Sequence, residues 1–167
     1  SMRIRKIMAV TMAACLVAGS LAGCGKKTEE KVIKIGVFEP TTGENGGGGF
    51  QEVLGIRYAR EMHPTVTING EEYQVELVEV DNKSDKTEAV NAAQKLVSEK
   101  VSVVLGSYGS GVSIAAGQIF ADAKIPAIGC SCTNPQVTEG NDYYFRVCFI
   151  DPFQGTVMAN YAFQNGA

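Results

Sequence analysis

Two short stretches hold the residues best suited to gripping a ligand, Gly106-Ser-Tyr-Gly-Ser-Gly111 and Ser131-Cys-Thr-Asn-Pro135. In the first, Gly109, Ser110 and Gly111 open a helical pattern carried by Ile114, Ala115, Gln118, Ile119 and Ala121 to Ala123. A helix start presents unpaired N–H groups and the positive end of the helix dipole, a natural seat for an anion. Covalent chemistry has no comparable signal. Gly106 to Gly111 is not a G-x-S-x-G nucleophile elbow, and the only histidine, His63, lies in a different loop. Neither a GxGxxG nor a Walker A spacing occurs. Cys130-Ser-Cys132 has no histidine or further cysteine at ligand spacing, so its thiols read as small, mostly buried groups at strand ends. The residues predict non-covalent binding, with no metal, no cofactor and no enzyme activity.

Each stretch closes a strand. Val101 to Leu105 is a β-branched run that stops at Gly106, and Pro126 to Gly129 is a second short run. Two consecutive parallel strands ending in hydroxyl-rich turns put both turns on one edge of an open α/β sheet, the edge where such sheets bind ligands. Upstream, Val32 to Phe38 reads as a strand, Glu39 to Gly49 as a long flexible turn, and Phe50 to Met62 as a helix. His63-Pro64 ends that helix, with His63 on the surface. Thr65 to Ile68, the Asn69-Gly70 turn and Tyr73 to Val80 form a hairpin, with Tyr73 to Val80 as an outer strand. After the Asp81 to Ser84 turn, with Ser84 or Asp85 as the cap, Ala89, Val90, Ala93, Leu96 and Val97 make an amphipathic stripe. The order β, α, β, α, β, α, β predicts a doubly wound parallel α/β sheet. Tyr144 to Phe149 adds a strand, and Asp151-Pro152 starts a last helix that stops at Asn165-Gly166 without the strand it should return to. The chain looks truncated.

The N-terminus carries a different message. Ser1 before Met2 reads as a cloning remnant, Arg3 to Lys6 as a basic n-region, and Ile7 to Ala22 as an apolar run too short and too small-residue-rich to span a membrane. Leu21-Ala-Gly-Cys24 then resembles the lipobox of bacterial lipoproteins. That resemblance implies export, removal of residues 1–23, and a lipid on Cys24 that holds the protein on the outer face of the cytoplasmic membrane, or its periplasmic face in a Gram-negative cell. Residues 24–31 are a polar tether. Without Arg3, Arg5 and Lys6 the chain keeps 12 basic against 18 acidic residues, a formal charge of −6, which argues against nucleic acid as a partner. Cys130, Cys132 and Cys148 remain, an odd number that cannot all pair internally.

Taken together, the lipobox, IKIGVFEPTTG, VELVEVDNKSDKTEAVNAAQKLVSEKVSVVLGSYGSG, IPAIGCSCTNPQVT and YYFRVCFIDPFQG resemble the first lobe of type I periplasmic binding proteins, in the branch serving branched-chain amino acid ABC transporters. The resemblance implies a Rossmann-like first lobe over residues 32–147. Residues 148–167 would be the crossover and first helix of a second lobe. It implies a free amino acid held between two lobes and delivered to ABC permease subunits. Carried over by position, Ser110 and Thr133 would meet the α-carboxylate with hydroxyl and amide, Gly109 would shape that turn, and the Ser131 carbonyl would accept from the ammonium. Two departures stand out. The position of the family's covering aromatic falls at Gly48, in a glycine run that offers no apolar wall, and Lys83 and Gly109 replace a cysteine pair found in some members. The same fold also serves ligand-sensing lipoproteins and proteins for sugars or nucleosides; Ser110 and Thr133 favour an amino acid.

Overall fold

The computed structural model describes residues 31–166; the expected signal at residues 1–23, the expected lipid site Cys24 and all of the expected tether but residue 31 lie outside the described residues. Strands β1 (Val32–Glu39), β2 (Thr65–Ile68), β3 (Glu71–Asp81), β4 (Val103–Leu105), β5 (Ala127–Gly129) and β6 (Tyr144–Arg146) form one sheet in the order β2-β3-β1-β4-β5-β6. All neighbours run parallel except β2, which pairs antiparallel with β3 through the Asn69-Gly70 turn, both residues at positive φ as a two-residue hairpin requires. The sheet grows outward from β1 in both directions, so the doubly wound expectation holds, with its switch between the ends of β1 and β4. The Tyr73 to Val80 run is one position in from the edge, because β2 takes the edge.

Alternation along β1 divides the core. Gly36 and Phe38 face helices α2 (Lys86–Ser98) and α3 (Ser110–Asp122), where Leu96, Val104, Val112, Ala116 and Phe120 are almost fully buried and Phe38 meets Phe120 edge to face at 5.5 Å. Ile35, Val37 and Glu39 face helix α1 (Gly46–Met62). Asp85 caps α2, its carboxylate accepting from the N–H groups of Thr87 at 2.8 Å and Glu88 at 2.9 Å. Both core helices end with a lysine in the left-handed region, Lys100 and Lys124. Their chain reversal delivers buried Val101 and Ile125 to the next strand.

Two boundaries differ from expectation. The glycine run is the first turn of α1, because Gly49 packs against Pro40 so closely that a Cβ there would sit 2.1 Å from the Pro40 carbonyl oxygen. The last strand stops at Arg146 instead of reaching Phe149, since β5 ends at Gly129, whose carbonyl takes the Val147 N–H at 3.1 Å, and offers nothing beyond it. Beyond it, helix α4 (Asp151–Gln164) leaves Phe153, Val157, Met158, Tyr161 and Phe163 exposed.

Candidate ligand-binding edge

Four loops meet at the carboxyl ends of β1, β3, β4 and β5. The first, after β1, is tied to the β3 turn by one carboxylate. Asp81 accepts from the Thr41 N–H at 2.9 Å, the Thr42 hydroxyl at 2.6 Å and the Lys83 N–H at 2.8 Å. Partial burial opposes its ionised form, but these hydrogen bonds outweigh it and hold Asp81 down at about 2. Asn45 adds a backbone bond to the Ser84 hydroxyl at 2.9 Å.

The loop after β4 is fixed from beneath. Buried Asn82 donates to the Ser107 hydroxyl at 2.8 Å, and the Tyr144 hydroxyl donates to the Gly106 carbonyl at 2.8 Å. Gly109 caps α3 at φ 101°, a conformation that favours glycine, and so aims the helix start at the edge. Ser110 follows as the first helical residue, and its Oγ accepts from the Asn134 N–H at 3.2 Å. That bond uses an oxygen lone pair and leaves the hydroxyl proton to be given elsewhere.

The loop after β5 hangs on Arg146. Its half-buried guanidinium donates to the carbonyls of Cys132 at 2.8 Å, Asn134 at 2.9 Å and Pro135 at 3.0 Å, and to the Thr138 hydroxyl at 2.8 Å. Within this frame the Thr133 carbonyl accepts from the Asp151 N–H at 3.0 Å, whereas its amide and hydroxyl have no partner among the described residues. The Ser131 hydroxyl is committed to Glu52 of α1, which leaves its carbonyl available.

The structure therefore brings Ser110 and the Thr133 loop into contact and places Gly109 at the helix start, immediately before Ser110. Gly48 lies within α1 rather than in a turn, and the expectation of a missing wall there needs correcting. The ring of Tyr108 lies directly on Gly48, where an added Cβ would be 2.5 Å from Cζ. That aromatic ring comes from the loop after β4. Sequence reading had also left Arg146, Asp81, Glu39 and Glu52 without roles. A glutamate between Phe38 and Pro40 at the end of a buried strand was the one visible hint.

Beneath the loops Glu39 is fully buried at the end of β1, with its Oε2 accepting from the Tyr108 N–H at 2.6 Å. Burial first, and then the hydrogen bond and charge of neighbouring Glu52, push Glu39 up to about 9. Cys130 is pushed up to about 12 by burial and by the same two carboxyls, and buried Cys132 to about 11, so neither thiol is a ready thiolate. On the same face of the sheet, Ile35, Ile56, Val75, Leu77 and Leu105 line an apolar groove of about 650 Å³ beside α1.

A helix start and a hydroxyl-bearing loop thus meet at the switch point of a mostly parallel sheet, the edge at which open α/β sheets bind ligands. A family model described as periplasmic binding protein matches residues 32–167, and the chain belongs to that family, in its type I, branched-chain amino acid branch. It is 36% identical over 135 residues to the Leu/Ile/Val-binding protein homolog 1 of Brucella abortus, an alignment covering 80% of this chain and 36% of that protein. Among solved structures it is similar to the leucine-binding protein LivK of Thermotoga maritima, at TM-score 0.73 and 43% identity, covering 80% of this chain and 37% of that one. It is similar too to the branched-chain amino acid transporter substrate-binding protein LivJ of Streptococcus pneumoniae, solved with isoleucine, at TM-score 0.70 and 36% identity over 78% and 38% of the two chains. The chain thus spans little more than a third of the length of the curated relatives it matches. No helix among the described residues is long and apolar enough to cross a membrane.

Proposed function

We propose that this chain is the first lobe of an extracytoplasmic binding protein that takes up a free amino acid, branched-chain or related, for an ABC importer. The observation that carries the reading is the pairing at the edge. Ser110, at the start of α3, holds the Asn134 N–H through its oxygen and keeps its proton, and the amide and hydroxyl of adjacent Thr133 are unpaired among the described residues. Three donors beside a helix N-terminus suit a carboxylate. The Ser131 carbonyl, its hydroxyl engaged by Glu52, suits an ammonium. Tyr108 over Gly48 gives the ligand's side chain an apolar surface. Residues 148–167 act as the crossover into a second lobe, a role supported by the exposed apolar face of α4. Residues 1–23 are the signal, and Cys24 carries the lipid that anchors the protein near the permease.

Calorimetry of the full-length mature protein against a panel of amino acids tests the binding. Saturable 1:1 heat with leucine, isoleucine or valine is expected. Heat with a sugar or nucleoside and none with any amino acid would sink the reading. Ser110→Ala and Thr133→Ala should each weaken binding by about 1–3 kcal/mol, roughly five- to 150-fold in Kd. Mass spectrometry of the mature N-terminal peptide tests the anchor, with a diacylglyceryl-modified Cys24 as the expected species.

A further inference from the structure

Glu39 and Glu52 touch the two ligand loops from below, one loop each. Glu39 Oε2 takes the Tyr108 N–H, and Glu52 Oε1 takes the Ser131 hydroxyl. Their other oxygens, Glu39 Oε1 and Glu52 Oε2, are buried with no further partner, and the two carboxyls approach within 4.8 Å of each other. Two carboxylates so placed cannot both stay charged. One proton between the facing oxygens satisfies both at once.

We propose that Glu39 and Glu52 share a single proton and work as a pair of positioning residues, holding the Tyr108 and Ser131 loops at the spacing that the ligand needs. The pair itself follows from its geometry; only its effect on affinity rests on the amino-acid reading of the edge. The groups facing it come from every neighbouring element: Cys130 after β5, whose Sγ lies within 4.8 Å of both carboxyls, Tyr144 on β6, and Arg60 and His63 of α1 and its C-terminus, which line the same groove as Glu52. The Cys130 and Tyr144 groups, both pushed upward, stay neutral through the range in which the pair would lose its proton. Above about pH 9 the pair becomes two facing anions, and their repulsion drives Tyr108 and Ser131 apart. Because the folded chain keeps a proton that the unfolded chain releases near the ordinary carboxyl value, stability also falls as pH rises from about 4.5 toward about 9.

Glu39→Gln separates a shared proton from mere packing. The amide keeps the carboxyl's shape, accepts from Tyr108 through its oxygen and donates permanently to Glu52. In the full-length protein without ligand, the Glu39 carboxyl carbon should titrate near pH 9 by NMR, and the Tyr108 amide signal should follow it. The amide's titration should be gone in Glu39→Gln. With L-leucine as the probe, the ratio of wild-type to Glu39→Gln affinity should fall about tenfold between pH 7 and pH 10. Taking the ratio cancels the titration of leucine's own ammonium. An ordinary acidic titration of Glu39, a ratio constant with pH, or a stoichiometric metal ion bound by Glu39, Glu52 and Cys130 in elemental analysis would each overturn the proposal. Failure to bind any amino acid would overturn the functional reading instead, and the NMR titration would still decide whether the proton is shared.

Discussion

Arg146→Met should cost more stability than a half-exposed arginine ordinarily does. The side chain bridges three backbone carbonyls and one hydroxyl at 2.8–3.0 Å, all within the Cys132 to Thr138 loop. A hydrogen bond from a charged donor contributes about 1.5–3 kcal/mol net. Four bonds from one guanidinium do not add, since they share a single ordering cost and the half-buried carbonyls regain water when it leaves. The expected loss is about 2–4 kcal/mol. In urea the midpoint of the full-length protein should fall at unchanged slope, because the surface exposed on unfolding is the same. Arg146→Lys should recover only part, since an ammonium cannot reproduce the planar fork that reaches carbonyls on both sides. Arg57 is the internal comparison. It too makes two short bonds, at 2.8 and 2.6 Å to Glu79, but both partners are on the surface, and Arg57→Met should leave the midpoint where it is. Equal shifts for the two arginines, or full rescue by lysine, would refute the loop's dependence on the Arg146 fork as the basis for the estimate. A folded Arg146→Met protein should also bind leucine more weakly, since Thr133 sits in the loop that it releases.

The glycine run of α1 gives two opposite outcomes in thermal melts. Gly47→Ala meets no atom within 4 Å and should stabilise by about 0.5–1 kcal/mol, while Gly49→Ala drives a Cβ into the Pro40 carbonyl and should destabilise by about 1–3 kcal/mol. Asp81 is held at about 2 against an ordinary 3.8, so its contribution is present at neutral pH and lost as pH falls through about 2. Solvent at this partly exposed carboxylate screens that contribution to about 1 kcal/mol, and Asp81→Asn should lower neutral stability by that amount while flattening the acid limb of the curve. Tyr108→Ala should weaken leucine binding by about 1–2 kcal/mol through lost apolar contact, read by calorimetry. Gly48→Phe, whose Cβ would collide with the Tyr108 ring, should be tolerated better in the Tyr108→Ala background.

What could be read from the sequence were the features whose cause is local. Periodicity and turn residues placed β1, α2, α3 and the Asn69-Gly70 hairpin, since strand alternation, a cap at Ser84 or Asp85 (Asp85 in the structure) and a positive-φ pair all act within a few residues. Gly109 and Ser110 were legible for the same reason, because a glycine before a helix start is itself the signal. The glycine run was misjudged because what admits it to a helix is the approach of Pro40, not its own propensity. Arg146 and Tyr108 were invisible for a stronger reason. An arginine in a three-residue edge strand and a tyrosine in a glycine loop have no local mark of their targets, and both act on segments set by the order of strands.

The acid pair extends this into function. Glu39 and Glu52 are 13 positions apart, on a strand and the helix that follows it, and each supports a loop that comes from a different strand still. Parallel topology makes the meeting unavoidable: residue 39 ends β1, α1 runs back over the same face, and the loops after β4 and β5 emerge beside that end. A charge buried there would be costly, and a single carboxyl would hold only one loop. Two carboxyls with one proton hold both loops while carrying a single negative charge, and they do so beneath donors that must stay attractive to an anion. Replacing both by glutamine tests that last step. Glu39→Gln/Glu52→Gln keeps every hydrogen bond available to amides but removes the charge, so its leucine affinity at pH 7 should equal or exceed that of Glu39→Gln alone, and weaker binding would show that the loops depend on the remaining carboxylate itself.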